Sequence, residues 1–230
     1  MNAPDSRALG LRIQPGPLLE QLNTLAAIGM TPEGACCRLA LSDEDRIGRD
    51  LLITWMEALK LEVSVDPIGN IFGWRAGLED LPPVMTGSHI DTVRTGGRYD
   101  GPLGVLGGLE VVRALNEAGI VTRRPIVVAA FTNEEGARFH PDMLGSLVYV
   151  GGLSLDDAYA SHSADGKVLI DELTKIGYVG EAALPLCKPH AFVELHIEQG
   201  PILDIEGVTI GAVRDLQGIS WQELTIVGQS

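Results

Sequence analysis

The chain has 230 residues, 45% hydrophobic and 21% charged, which suits one large globular domain or one domain plus the beginning of another. A formal charge of −14 lacks the basic footprint that nucleic acid or an anionic membrane requires, so neither is expected as a partner. Cys36, Cys37 and Cys187 form no C-x-x-C and no disulfide framework, and with no signal-like N-terminus and no apolar run near the ~18 residues of a membrane span, the reading is cytoplasmic.

Leucines 18, 19, 22 and 25 fall on helical spacing and predict a first helix over 17–30. Ser42, with Asp45 three residues on, reads as a capping box opening a second helix that runs to about Lys60. LEVSVD (61–66) alternates, PIGN (67–70) turns and IFGWRAG (71–77) returns, which predicts a hairpin. PVMTGSHI (83–90) and PIVVAAFT (125–132) are apolar without alternation, and 104–118 between them is helical. A strand, helix and strand of that kind signals parallel pairing covered on both faces. A further helix over 167–176 and a further strand in AFVELHI (191–197) complete an α/β reading: a mostly parallel central sheet flanked by helices.

Ligands of open parallel sheets lie beyond the carboxyl ends of the strands. His89 ends one of these strands, Glu134 and Glu135 end the next, and Asp100, eleven residues after His89, lies in the Gly-rich loop leading into the intervening helix. His196 reaches the same crevice if its strand is a neighbour. Imidazole and carboxylate together suit zinc, manganese, nickel or iron, whereas thiolates would have pointed to structural zinc. Asp91, two residues past His89, is placed to hydrogen-bond the second imidazole nitrogen and fix the ligating tautomer. His140, His162 and His190 read as structural or solvated. The glycines of TGGRYDGPLGVLGG match no phosphate-binding motif and read as turn and close-packing positions around Asp100.

GSHIDTVRTGGRYDGPLGV, FTNEEGARF and HIEQGPILD, together with the upstream RLALSDEDRIGRDLLITWMEALKLEVSVDPIGNIFG, resemble the amidase, hydantoinase and carbamoylase branch of the two-zinc aminopeptidase-like hydrolases over nearly the whole chain. That branch holds N-carbamoyl-L-amino-acid hydrolases, allantoate amidohydrolases and beta-ureidopropionases. The resemblance implies a catalytic domain over 1–213 and, at 214–230, the first strand of an inserted α+β lid and dimerisation domain. It implies two divalent metal ions, zinc or else manganese, cobalt or nickel. Asp100 would bridge them, His89 and His196 would complete one, Glu135 would bind the other, Glu134 would be the general base and Gln199 would touch the substrate. The peptide bond from Asp100 to Gly101 would be cis.

The implied activity is hydrolysis of a carbamoyl, ureido or amidine C–N bond in a small carboxylate-bearing substrate, by a homodimer in the full-length form. Further chain beyond residue 230 would carry a fifth ligand, a histidine, and the lid residues that hold the substrate carboxylate and the oxyanion. The alternative is a catalytically incomplete N-terminal fragment that binds metal or pairs with another chain without turnover.

Overall fold

The computed structural model describes residues 10–216, 218 and 224–228, which separate into two compact units, 1–197 and 198–230. The first begins with α1 (Pro15–Ala27), which buries Leu18, Leu22 and Leu25, and α2 (Asp43–Ala58). The Ser42 side chain accepts the Asp45 N–H at 3.2 Å, and Asp43, Glu44 and Asp45 stand in the first turn of α2, where acids complement the helix dipole. The hairpin forms from β1 (Glu62–Val65) and β2 (Ile71–Arg75). β3 (Val84–His89), α3 (Pro102–Glu117) and β4 (Ile126–Phe131) then make the expected strand, helix and strand.

These strands, with β5 (Ala191–Val193), form a five-stranded sheet in the order β1-β2-β4-β3-β5. The β4-β3-β5 part is parallel, and β2 joins β4 antiparallel. Alternate residues feed two cores, as the pleat requires. Ile71, Val128 and Ala130 belong to the larger cluster with Leu22, Leu25, Leu52, Met56, Leu106 and Leu109 of the helices. Phe72, Val127 and Ala129, with Met85, pack on the other face against Tyr149.

Two short helices, α4 (Leu144–Tyr149) and α5 (Leu155–Tyr159), were not foreseen, and α6 (Leu169–Lys175) lies inside the expected 167–176. The strand expected throughout AFVELHI is shorter in the structure. Only Ala191–Val193 pair with β3, all three exposed, and beyond Val193 side-chain contacts replace the ladder. In the second unit, α7 (Ile202–Glu206) is opened by the Glu198 carboxylate, which accepts the N–H groups of Ile202 and Leu203 at 3.0 Å each. The expected boundary at 213/214 falls within this unit, in a stretch, 208–216, without helix or strand. Of the lid strand expected within 214–230, residues 217, 219–223, 229 and 230 lie outside the described residues, and 214–216, 218 and 224–228 carry no regular structure.

A buried polar network braces the loop that follows β4. The Asp66 carboxylate accepts the N–H groups of Ile68 (3.1 Å) and Asn70 (2.9 Å) and the Asn70 amide (2.8 Å). Burial nevertheless pushes its pKa up to about 6. Asn70 in turn accepts the Thr132 N–H at 2.9 Å and donates to the Gly145 carbonyl at 3.1 Å. Arg49, ion-paired with Asp45 at 2.8 Å, donates to the Gly69 carbonyl and the Thr132 hydroxyl. Asn70→Ala would orphan the Thr132 N–H and one Asp66 oxygen together, so we expect a loss of about 2–4 kcal/mol, read as a lower urea midpoint at unchanged slope.

Candidate metal centre

His89 ends β3 and is 2% exposed. Its ring lies against Gly101, where an added Cβ would come within 2.5–2.6 Å of three imidazole atoms. Gly101 has φ 79 and forms the N-terminal cap of α3. The turn from Asp100 is made there by a positive φ, and the Asp100–Gly101 bond is not cis as expected; the cis bonds among the described residues are His140–Pro141 and Leu184–Pro185. Only glycine meets both demands, the left-handed conformation and the vacancy for the imidazole.

The segment after His89 is held by Arg38, 1% exposed. Its guanidinium donates to the carbonyls of Ile90 (2.8 Å), Leu25 (2.8 Å) and Ile28 (3.1 Å), and its main chain exchanges hydrogen bonds with Thr92. Burial lowers its pKa, while Asp45 pulls it up. Asp91 is buried too, and here one expectation is corrected. His89 Nδ1 lies 2.9 Å from the main-chain carbonyl of Asp91 and 3.8 Å from its carboxylate, so the carbonyl fixes the tautomer. The carboxylate instead accepts the N–H groups of Glu134 (3.2 Å) and Glu135 (3.3 Å). It joins the end of β3 to the loop after β4. Burial holds it above the ordinary carboxylate range, against the pull of His89.

His89, Asp100 and His196 converge, with one potential ligand atom from each lying within 4.8 Å of the others. His196 Nε2 is 3.1 Å from Asp100 Oδ1, and His196 Nδ1 is 2.7 Å from the Ile197 carbonyl. Glu134 Oε2 lies 3.3 Å from His89 Nε2. Both histidines therefore direct Nδ1–H at a carbonyl and turn Nε2 toward carboxylates. An imidazole lone pair facing carboxylate oxygens needs a positive centre between them, a proton or a metal ion, and the donor set fits a divalent cation. Glu135 lies outside this three-residue group. Its carboxyl is pushed up to about 7 by burial, with His89 opposing and Asp100, Asp91 and Glu134 reinforcing the rise. Glu134 is raised by burial as well. For His89, burial lowers the pKa, but Asp91 and Glu134 outweigh it and the net shift is upward. Gln199, with φ 53, belongs to the second unit.

Three features were not foreseen: the anchoring by Arg38, the vacancy at Gly101, and a 2.5 Å hydrogen bond from the Ser88 hydroxyl to the Glu194 carboxylate. A lone arginine in the apolar run CCRLAL was the one available sign of the first.

The sequence model of peptidase family M20/M25/M40 matches residues 85–226, a span that contains His89, Asp91, Asp100, Glu134, Glu135, His196 and Gln199 but not Arg38. The chain belongs to peptidase family M20. An N-carbamoyl-L-amino-acid amidohydrolase of Rhizobium meliloti is 46% identical over 219 residues, covering 95% of this chain and 53% of that protein. A ureidoglycolate hydrolase of Arabidopsis thaliana is 36% identical over 216 residues, 90% of this chain and 45% of that protein. The crystal structure of a hydantoinase/carbamoylase family amidase from Burkholderia ambifaria superimposes with a TM-score of 0.84 at 49% identity, over 86% of this chain and 49% of that one. This M20 chain thus spans about half the length of the relatives it matches. No described helix is long and apolar enough to cross a membrane.

Gly101→Ala is expected to displace the His89 ring and lower metal affinity at least tenfold, and the strain of a methyl at positive φ against a buried ring is expected to lower thermal stability as well. Isothermal titration with zinc or manganese, beside a melting curve, checks this; unchanged affinity would show that the imidazole tolerates the added methyl.

Proposed function

We propose that this chain is the metal-holding part of an amidohydrolase that cleaves a carbamoyl, ureido or amidine C–N bond in a small carboxylate-bearing compound. The observation that carries this reading is the convergence of His89, Asp100 and His196, with Glu134 at 3.3 Å from His89. The names of the relatives support the reaction class, N-carbamoyl-L-amino acids and ureidoglycolate being the substrates those names state.

In this reading His89, Asp100 and His196 would hold one divalent ion, and Asp100 and Glu135 would serve a second. Bound there, the ions would supply Lewis-acid polarisation and make water acidic near neutral pH. Glu134, 3.3 Å from His89 Nε2 and assigned to neither ion, is suited to take a proton from the attacking water and pass it to the leaving nitrogen. The Asp91 clamp fixes the main chain of Glu134 and Glu135 together, so two neighbouring carboxylates keep different tasks without competing for one position. Gln199 is proposed to contact the substrate's ureido or amide group.

A second reading, a chain that binds metal without turnover by itself, is favoured by the half-length match to the relatives. Turnover of N-carbamoyl-L-amino acids, allantoate and ureidoglycolate, with zinc, manganese, cobalt or nickel supplied, separates the two readings. Glu134→Gln is expected to lower any turnover by ~10²–10⁴-fold with metal content intact, whereas Glu135→Gln also lowers metal content. Equal metal loss in both variants, by elemental analysis after dialysis, rejects the division of labour.

A further inference from the structure

The regular pairing of β5 with β3 ends at Thr86 and Val193, three residues short of both histidines. Continued in the same register, it would bring His196 beside His89, yet no strand ladder holds the chain over those last residues. Two contacts take its place. The hydroxyl of Ser88, a residue 3% exposed, donates to Glu194 Oε1 at 2.5 Å, tying the residue before His89 to the residue two before His196. On the other side, α3 closes over the junction through Gly104, where a Cβ would lie 2.8 Å from Ser88 Cβ and 2.9 Å from the Leu195 carbonyl oxygen. α3 also begins at the turn that carries Asp100.

We propose that Ser88 and Glu194 are a positioning pair that sets His196 against Asp100, with the first turn of α3 as the backstop. The proposal rests on the metal-centre reading and adds two residues that touch no ligand position themselves. A hydroxyl-to-carboxylate bond is short and directional, and Ser88 itself is 3% exposed. Holding Glu194 restrains the chain two residues before His196, and a metal-binding constellation tolerates only about 0.5 Å of misplacement. Without the bond, residues 191–196 are joined to β3 by the three residue pairs of β5.

The experiment uses the 230-residue chain and its Ser88→Ala, Glu194→Ala and Glu194→Gln variants, plus the double alanine variant. It reads zinc and manganese affinity by calorimetry and the His196 imidazole signal by NMR, with far-UV circular dichroism and urea midpoints as folding controls. Ser88→Ala and Glu194→Ala should each weaken the tighter metal by ~10–100-fold, the double variant no further than either single one. Glu194→Gln, which still accepts the Ser88 hydroxyl, should bind within about threefold of the parent. Equal loss in Glu194→Gln and Glu194→Ala with Ser88→Ala unaffected would overturn the pair, since Glu194 would then act by its charge. Parental affinity in both alanine variants would overturn it as well. Should the parent chain take up no metal, the metal-centre reading fails, and the pair is then judged by the His196 signal: a shift in both alanine variants supports it and no shift overturns it.

Discussion

One buried carboxylate accepting two consecutive main-chain N–H groups sets the layout of this site. Asp91 leaves the end of β3 and receives the amides of Glu134 and Glu135, so the acidic loop after β4 stands at a fixed distance from His89. Parallel strands by themselves leave the loops after them free to diverge. Here the divergence is prevented by hydrogen bonds to a carboxylate that is itself 2% exposed, where such contacts are strengthened. Asn70 and Arg49 brace the same loop from behind through Thr132, and Arg38 braces the β3 side through Ile90 and Thr92.

The cost of this arrangement is electrostatic. Asp91, Glu134 and Glu135 crowd around one imidazole, and all three carboxyls are raised by burial. In a chain of net charge −14, gathering more negative charge here brings no folding advantage by itself. The same crowding is what a divalent cation would relieve, although of these three acids only Glu135 is proposed as a ligand. Stability and function thus meet at one cluster with opposite requirements.

Much of the framework was legible in the sequence because it repeats. The leucine spacing of α1, the Ser42 cap and the apolar runs of β3 and β4 each declare a period or a boundary. α4 and α5 are too short to show a period, and the chain around them folds to fit its neighbours. At the site, residue type was enough to single out His89, Asp100 and His196 once His89 was placed at a strand end and Asp100 in the Gly-rich loop that follows. Direction was not legible: that the Asp91 carboxylate turns to the loop after β4 rather than to His89 depends on where that loop passes. The Ser88–Glu194 contact joins neighbouring segments that are 106 residues apart in the chain and leaves no local trace, and Gly101 is one glycine among 28 until the ring beside it is seen.

The three-pair junction of β5 also bears on how the molecule opens. Segments joined by few hydrogen bonds and little buried surface detach at a small fraction of the free energy of global unfolding. Residues 191–193 are all exposed and at the edge of the sheet, while β3 and β4 are enclosed on both faces. His196 is therefore carried by the part of the first unit least tied to the whole, and His89 by the part most tied. An ion held between them would exchange through fraying of that edge, with the core amides still protected, and its rate of escape would report on the edge rather than on the fold.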